Sequence, residues 1–171
     1  MTDFTGTPAQ PVPPGNSVGM QTGKELQIVK STKNEIAQMY ALGKKASDEG
    51  VIDPVTNDKL KKMVSDKGYY VICAKEGDKI IGFATNQYAW GKIHILDIVV
   101  DENKRRSGIG RKIIEHLVAH SKEKKLIETY CEVKAKNTAS LKLFKSMGFK
   151  ERLFCELIPG GFYGLYLENN K

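Results

Sequence analysis

The feature that most constrains the fold is a glycine-containing turn that joins an apolar strand to an amphipathic helix. Residues 93–100 form a short, β-branched apolar run, which is typical of a buried strand. After the turn at residues 105–110, apolar residues recur at the spacing of one helix face. The first N–H groups of such a helix have no intrahelical partner, and Gly108 and Gly110 allow a ligand to approach the backbone closely. The turn therefore predicts a phosphate-binding site.

Basic residues surround this helix start, namely Arg105, Arg106, Arg111 and Lys112. Positive charge there opposes the helix dipole by about 0.3–1 kcal/mol, whereas a bound polyanion would reverse the sign. A solvated basic loop before an ordinary helix is the alternative. A Walker A loop is excluded because Arg111 follows Gly110, and Ile113 replaces the third glycine of a dinucleotide fingerprint.

The segment that follows predicts another strand and another helix. Residues 126–133 have the composition of a strand, and Asn137 is a candidate cap for a helix with apolar positions at Leu141, Phe144 and Met147. Gly148 follows as a left-handed terminator. This order places a strand, a turn, a helix, a strand and another helix in succession.

The motif Arg-x-x-Gly-x-Gly at residues 105–110, followed by CEVKAKNTASLKLFKSMGF at residues 131–149, resembles the GNAT superfamily of acetyltransferases. In that superfamily the first motif grips the pyrophosphate of acetyl-CoA. The motif at residues 131–149 is similar to the family's Glu-Val…Asn-x-x-Ala…Leu-Tyr-x-x-x-Gly-Phe signature and most resembles that of the N-terminal protein acetyltransferases. Two motifs in order at a fitting spacing are far more specific than one glycine loop.

The predicted fold class is α/β, a single-domain GNAT-like fold. Together with the strand-like runs of the sequence, the resemblance implies a seven-stranded, mixed and mostly antiparallel sheet with helices on both faces. Its one parallel pair should be the strands ending near residues 100 and 133, joined by a right-handed helical crossover. The resemblance implies that these two strands splay apart and that the pantetheine arm of the cofactor fills the gap.

The chain of 171 residues divides into a flexible tail, residues 1–23, and an acetyltransferase domain, residues 24–171. The tail contains four of the six prolines, four glycines and a single charged residue, Asp3, so it cannot bury enough apolar surface to fold alone. The remainder has the length of one domain with a substantial core.

The resemblance assigns acetyl-CoA binding to the end of the central strand, the turn and the second motif. These residues are Ile98, Val99, Val100, Arg105, Arg106, Ser107, Gly108, Ile109, Gly110, Arg111, Asn137, Phe144 and Lys145. A backbone N–H near residues 98–100 should hold the oxyanion. Asn137 is expected to bond the pantetheine or a water molecule, or to act only as a helix cap. No metal is expected.

Acetyl transfer to an amine requires a base, because α-amino and lysine groups with pKa values of about 8 and about 10.4 are mostly protonated at neutral pH. His94 is the first candidate, since it falls where family members place a catalytic side chain on the central strand. Glu132 is the second and Asp97 the third. In the alternative, His94 is only packed in the strand, Glu132 faces solvent and Asp97 pairs with a lysine.

The chain departs from the family at Phe144, where many relatives carry a tyrosine thought to protonate the departing CoA thiolate. Phenylalanine has no proton to give. The acid must then be water, Tyr130 or a group of the last hairpin such as Tyr163. A thiol with a pKa of about 8.5 also leaves tolerably well without help.

The acceptor site is expected between the early helices and the final hairpin, at Tyr40, Phe162 and Tyr163, although Tyr163 is equally well explained as an exposed hairpin aromatic. A polyamine site would need several carboxylates, and no acidic cluster marks this region of the sequence. The leading function is therefore an acetyl-CoA-dependent N-acetyltransferase acting on a protein or peptide N-terminal α-amine. The alternatives are acetylation of a small amine, polyamine or lysine, or a catalytically silent CoA-binding module.

The net charge of +7 suits an anionic ligand, although solvated lysines are the commoner cause. The basic run at residues 122–125 has no interleaved aromatic residues, so no nucleic acid is expected as a partner. No apolar run approaches the roughly 20 residues of a membrane span, so no membrane partner is expected either. Three cysteines in strand-like runs predict reduced thiols and a cytoplasmic protein. The sequence is compatible with a monomer or a homodimer.

Overall fold

The computed structural model describes residues 25–156 and 160–169. The predicted tail, residues 1–23, lies outside those residues, and so does Pro159, which with Gly160 and Gly161 forms the turn signal of the final hairpin in the sequence. The strands are β1 Leu26–Lys30, β2 Tyr69–Glu76, β3 Lys79–Ala89, β4 Lys92–Val100, β5 Glu128–Lys134, β6 Lys150–Cys155 and β7 Phe162–Glu168. The described helices are α1 Ile36–Asp48, α2 Asn57–Ser65, α3 Ile109–Glu123 and α4 Thr138–Ser146. Single 3-10 turns precede α1 at Lys33–Glu35 and follow β4 at Glu102–Lys104.

All seven strands form one sheet in the order β1-β2-β3-β4-β5-β7-β6. Every neighbouring pair is antiparallel except β4 and β5, which are parallel and connected through α3. The predicted seven-stranded, mostly antiparallel sheet with a single parallel pair is confirmed. The parallel pair lies at the centre of the sheet, where both of its strands have a neighbour on the other side.

The helices cover both faces of the sheet, as predicted. On one face α3 and α4 bury their apolar side chains, among them Ile113, Leu117 and Phe144, against the strands. On the other face α1 and α2 do the same with Met39 and Leu60. None of the described helices is long and apolar enough to cross a membrane.

The ends of the helices agree with their local sequence signals. Thr56 caps α2 by accepting from the Lys59 N–H, and Asn137 caps α4 by accepting from the Ser140 N–H. Gly148, with φ +87°, ends α4 as a left-handed residue. The N–H groups of Gly148 and Phe149 donate to the carbonyl oxygens of Lys145 and Phe144, the Schellman pattern that satisfies the last turn.

Candidate active site

The central feature of the site is a cleft that opens where β4 and β5 part. The parallel pairing of the two strands runs from Lys92 opposite Glu128 to Ile95 opposite Cys131 and ends there, although β4 continues to Val100 and β5 to Lys134. A cavity of about 270 Å³ lies between the diverging ends. The backbone of β4 beyond Ile95 therefore has no strand partner on its β5 side. The splay that the family resemblance implied is present.

A β-bulge in β4 accompanies this divergence. On β3, Asn86 pairs with Ile95 and the next residue, Thr85, pairs with Asp97, so Leu96 is the extra residue. The bulge reverses the alternation of side chains: Ile93 and Ile95 pack in the core beside α3, and beyond it Ile98 and Val100 pack in that same core. A bulge changes where side chains and backbone groups point, and such bulges are common beside active sites.

The turn before α3 presents unpaired N–H groups at the mouth of the cleft. Gly108 is the N-cap of α3 with φ +85°, and no side chain caps the helix. The first intrahelical bond runs from the Lys112 N–H to the Gly108 carbonyl. The N–H groups of residues 108–111 therefore have no intrahelical acceptor. Gly110 itself lines the cleft, and such a helix start favours an anion.

Ion pairs brace this turn against the rest of the fold. The Arg105 guanidinium donates to the Val100 carbonyl at 3.3 Å and to the Glu49 carboxylate at 2.5 Å. Lys45 at the end of α1 pairs with Glu102 at 2.5 Å. The side chain of Arg105 therefore positions the turn. The turn would contact an anion through its backbone N–H groups.

The other polar side chains at the start of α3 differ in their contacts. Arg111 donates to the Ser146 hydroxyl at 2.8 Å, and the Ser107 hydroxyl donates to the Lys104 carbonyl at 2.6 Å. Arg106 has φ +66° and, within the described residues, forms no ion pair. Its charge is thus available to an external anion.

The second motif forms the other wall of the cleft. Asn137 and Phe144 line it, and Phe144 packs edge-on against Phe149 at 4.9 Å between ring centroids. Lys145 does not line the cleft; it pairs with Glu151 and lies 5.8 Å from the centre of the Tyr163 ring.

The candidate bases are not equivalent. Glu132 lines the cleft, and the Tyr130 hydroxyl donates to its carboxylate at 2.9 Å. Asp97 also lines the cleft and accepts from the buried Thr85 hydroxyl at 2.9 Å, rather than pairing with a lysine. His94 lies one residue before the strands part and is not among the cleft residues.

His94 occupies a largely apolar environment. Its ring packs on Tyr130 at 4.9 Å, and its Nε2 is buried without a hydrogen-bond partner in the described residues. Burial lowers the pKa of His94, and the nearby Glu132 partly opposes this shift. Burial also raises the pKa of Tyr130, and its hydrogen bond to Glu132 raises it further.

The residues expected at the acceptor site are not brought together at the cleft. Tyr40 lines a separate pocket with Ala37 and Asn57, between α1 and α2. Phe162 and Tyr163 lie on β7 outside the cleft lining, and Tyr163 packs on Phe154 at 4.7 Å.

Two charged residues of the cleft were not among the predicted site residues. Asp53, in the loop after α1, pairs with Lys134 at the end of β5 at 2.8 Å, and both line the cleft. Lys134 lowers the pKa of Asp53 through this contact. Asp53 stands before a proline in the sequence and was evident only as a turn signal.

Comparison with known proteins agrees with this geometry. The family model for the Acetyltransferase (GNAT) family matches residues 36–149. The chain belongs to the GNAT family. This membership confirms the predicted acyltransferase class, and acetyl-CoA is the cofactor that GNAT acetyltransferases use.

Similar curated proteins include the [ribosomal protein bS18]-alanine N-acetyltransferase of Escherichia coli strain K12, 30% identical over 93 residues that cover 53% of this chain and 63% of that protein. The corresponding Salmonella typhimurium protein is 32% identical over 74 residues, 43% of this chain and 50% of that one. The chain thus spans between half and two thirds of these relatives. An N-alpha-acetyltransferase of Sulfurisphaera tokodaii is 26% identical over 142 residues, 75% of this chain and 83% of that protein.

Solved structures share the fold. The Escherichia coli ribosomal-protein-S18-alanine N-acetyltransferase superposes with a TM-score of 0.76 at 20% identity, covering 86% of this chain and 96% of that one. The yncA protein of Salmonella typhimurium, solved with acetyl-CoA, superposes with a TM-score of 0.73 at 17% identity, covering 85% and 95%.

The described residues of this GNAT protein fit acetyl-CoA on two observations. An ideal Cβ on Gly108 would meet nothing within 4 Å, so the approach to the unpaired N–H groups is open on that side. The cavity between the parted strands continues from that helix start along β4. The first feature suits a pyrophosphate, and the cavity suits an extended arm that pairs with strand backbone.

Proposed function

We propose that this GNAT protein transfers the acetyl group of acetyl-CoA to a protein or peptide N-terminal α-amine. The observation that carries the proposal is the Glu132 carboxylate, held by Tyr130 inside the cleft where β4 and β5 part. The names of the bacterial and archaeal relatives, which specify ribosomal-protein alanine and N-alpha acetylation, support this choice of acceptor.

Different parts of acetyl-CoA would be bound by different groups of the protein. The unpaired N–H groups at the start of α3, with Arg106 beside them, would hold the pyrophosphate. The free edge of β4 at Ile98, Val99 and Val100 would bond the pantetheine arm and orient one N–H toward the carbonyl oxygen that becomes negative. Acetyl-CoA supplies the thioester that the amine attacks.

The base in this proposal is Glu132 rather than His94. A carboxylate is ionised at neutral pH and can take the proton of an ammonium group directly or through water. Glu132 is exposed in the cleft, whereas His94 is outside it with its free nitrogen buried. Tyr130 orients the carboxylate by donating its hydroxyl proton to it. Asp97 is held by Thr85 and is a further carboxylate on the same cleft.

Water is the proposed acid for the departing thiolate. Phe144 has no hydroxyl. The Tyr130 proton is engaged with Glu132, and Tyr163 lies against Phe154 outside the cleft. A thiol with an ordinary pKa of about 8.5 is a tolerable leaving group, so proton delivery by solvent is sufficient.

The proposed compartment is the cytoplasm. Cys73 and Cys131 are buried free thiols. Burial raises the pKa of Cys73 to about 11, which keeps it protonated and unreactive at neutral pH. Reduced structural thiols are typical of the cytoplasm.

The test of the acceptor is turnover with acetyl-CoA and a matched panel of amines. The panel contains one short peptide with a free N-terminus, the same peptide with a blocked N-terminus and an internal lysine, spermidine and free lysine. We expect the free N-terminus to react fastest. Faster turnover of spermidine or of the blocked peptide would overturn the proposed acceptor, and binding of CoA without turnover of any amine would indicate a silent module.

The test of the base compares Glu132→Gln with His94→Gln in the same assay. Glu132→Gln should lower kcat/KM by about 10²–10⁴ while CoA affinity is unchanged. His94→Gln, which keeps similar size and loses the titrating ring, should lower kcat/KM by less than about tenfold on the same argument. The opposite order of the two variants would return the role to His94.

A further inference from the structure

A separate cavity, of about 750 Å³, lies at the opposite end of the central strand. It surrounds the β3–β4 turn and the first residue of β4, and the last turns of α3 form one side. The cleft lies instead at the start of α3. Gly110 and His120 are 10 residues apart on that helix, which corresponds to about 15 Å along its axis at 1.5 Å per residue. This cavity is therefore distinct from the acetyl-transfer site.

Lysine side chains give this cavity its charge. Lys30, Lys67, Lys92 and Lys124 all line it, and no aspartate or glutamate is among its lining residues in the described part of the chain. Lys92 is neutralised by Glu128 at 2.8 Å. Within the described residues the other three form no ion pair. Glu123 acts electrostatically on Tyr70 and His120 in the wall, but the three lysines without an ion pair outnumber it and favour an anionic ligand.

An aromatic platform stands at the rim. Trp90 occupies the tip of the β3–β4 turn with φ +48° and is 92% exposed. A bulky residue rarely adopts a positive φ. The backbone conformation that presents the Trp90 ring to solvent is therefore energetically unfavourable for this residue. Tyr69 and Tyr88 supply further aromatic wall inside the cavity. An exposed indole beside lysines without an ion pair is the arrangement on which nucleic-acid bases stack.

The inner wall is rigid. The Tyr88 hydroxyl and His120 Nε2 are hydrogen-bonded at 2.6 Å, and the Tyr70 ring stacks on the His120 ring at 3.8 Å and 8°. The Tyr70 hydroxyl is also hydrogen-bonded to His116 Nε2 at 3.1 Å. These contacts fix the wall before a ligand arrives, as in a preformed binding site.

We propose that this cavity binds a nucleotide unit, with its phosphate among Lys30, Lys67 and Lys124 and its base stacked on Trp90. A ligand recognised by charge alone, such as an acidic peptide, would leave the exposed indole unused. The unit can be a free nucleotide or one residue of a single-stranded RNA. Sequence analysis predicted no nucleic-acid partner because residues 122–125 contain no aromatic residues, but the fold brings Tyr69, Tyr88 and Trp90 beside Lys124 from distant strands.

The chain supplies its own probe, because Trp90 is its only tryptophan. Binding is measured by quenching of tryptophan fluorescence and, independently, by the anisotropy of a fluorescein-labelled decauridylate. One molar equivalent of CoA is present throughout so that the acetyl-transfer cleft is filled without an excess of the adenine nucleotide that CoA contains. UMP, AMP, the decauridylate and hexaglutamate are titrated in parallel. We expect quenching by nucleotides or by RNA, with an affinity that falls as salt is raised.

Matched variants locate the effect. Lys67→Glu and Lys124→Glu should each weaken binding by about tenfold or more and flatten the salt dependence, whereas the exposed Lys150→Glu on β6 should do neither. Trp90→Ala should weaken RNA binding about 10- to 100-fold by anisotropy. All four variants should keep the wild-type rate of acetyl transfer.

Each outcome decides the proposal. Equal quenching by UMP, AMP and RNA identifies a free-nucleotide site, and quenching by RNA alone identifies a nucleic-acid site. Absence of quenching by UMP, AMP and RNA alike, equal binding of hexaglutamate, or binding unchanged in Lys67→Glu and Lys124→Glu would overturn it. The readout is binding rather than turnover, so it is independent of the proposed acceptor.

Discussion

Replacement of Gly108 by valine tests whether the start of α3 binds the cofactor. Gly108 is the N-cap of α3, with φ +85° and open space where a Cβ would stand. A valine there would meet no protein atom within 4 Å at its Cβ, so the core need not move. The branched side chain would instead stand beside the unpaired N–H groups that we propose for the pyrophosphate.

Two free energies have to be separated. A β-branched residue held at positive φ costs about 1–3 kcal/mol of stability at any site. Loss of two hydrogen bonds from backbone N–H groups to phosphate oxygens would cost a further 3–6 kcal/mol of binding, at about 1.5–3 kcal/mol for each bond to a charged group. The binding loss corresponds to a rise in Kd of at least about 100-fold.

Gly160 provides the matched control. It has φ +89° and, like Gly108, nothing within 4 Å of an ideal Cβ, but it lies in the β6–β7 turn away from α3. Gly108→Val and Gly160→Val should therefore lose similar free energies of unfolding in urea, and only Gly108→Val should lose CoA affinity by calorimetry. Equal CoA affinity in the two variants would refute the proposed pyrophosphate site.

Other variants probe the second motif, a buried ion pair and the histidines. Asn137→Ala removes the α4 cap and should lower the free energy of unfolding by about 1 kcal/mol. A fall in CoA affinity measured in parallel by calorimetry would show that Asn137 also contacts the cofactor. Glu128→Gln should lose about 1–3 kcal/mol in urea unfolding, because the carboxylate is 5% exposed and accepts both Arg152 nitrogens at 2.8 Å. An unchanged free energy of unfolding would show that water replaces the hydrogen bonds lost between Glu128 and Arg152. Burial lowers the pKa of all three histidines below the ordinary value of 6.5, so the unfolded chain binds more protons and stability should fall as pH drops below about 6.5, by up to about 1.4 kcal/mol per pH unit for each one. A melting temperature that is constant from pH 7 to pH 5.5 would contradict this.

Local signals in the sequence were sufficient for most of the fold. Asn137 and Gly148 delimit α4 because a cap and a left-handed terminator act within one turn of the helix. The turn at Trp90 and Gly91, both at positive φ, connects β3 to β4, and the glycine directly before the apolar run marks it in the sequence. Periodicity and turn chemistry depend on near neighbours, so they can be read without knowledge of tertiary structure.

The part of the cleft lined by Asp53 and Lys134 depends on contacts between distant segments and was less accessible to sequence analysis. Asp53 meets Lys134 across 81 residues, and no local pattern in either segment indicates the other. Tyr40 was chosen because the early helices cover the acceptor groove in the family, but its position on α1 brings it to the pocket shared with α2. A helix can be predicted from its sequence while the face that meets a ligand is decided by how that helix packs.

The positions of His94 and Glu132 also depend on tertiary structure, because Glu132 lines the cleft and His94 does not. His94 was predicted from its place on the central strand, and that prediction assumes that the strand is regular up to the turn. The Leu96 bulge breaks that assumption: pairing with β5 stops at Ile95, so His94 remains within the paired part of the sheet. Glu132, one residue beyond the last pair on β5, lies where the strands part. Deletion of Leu96 should place Asp97 directly after Ile95 in a regular pairing with β3 and close the free edge of β4. We therefore expect the deletion to abolish CoA binding by calorimetry while β3 and β4 remain paired by amide hydrogen exchange, and retained binding would show that the bulge does not create the site.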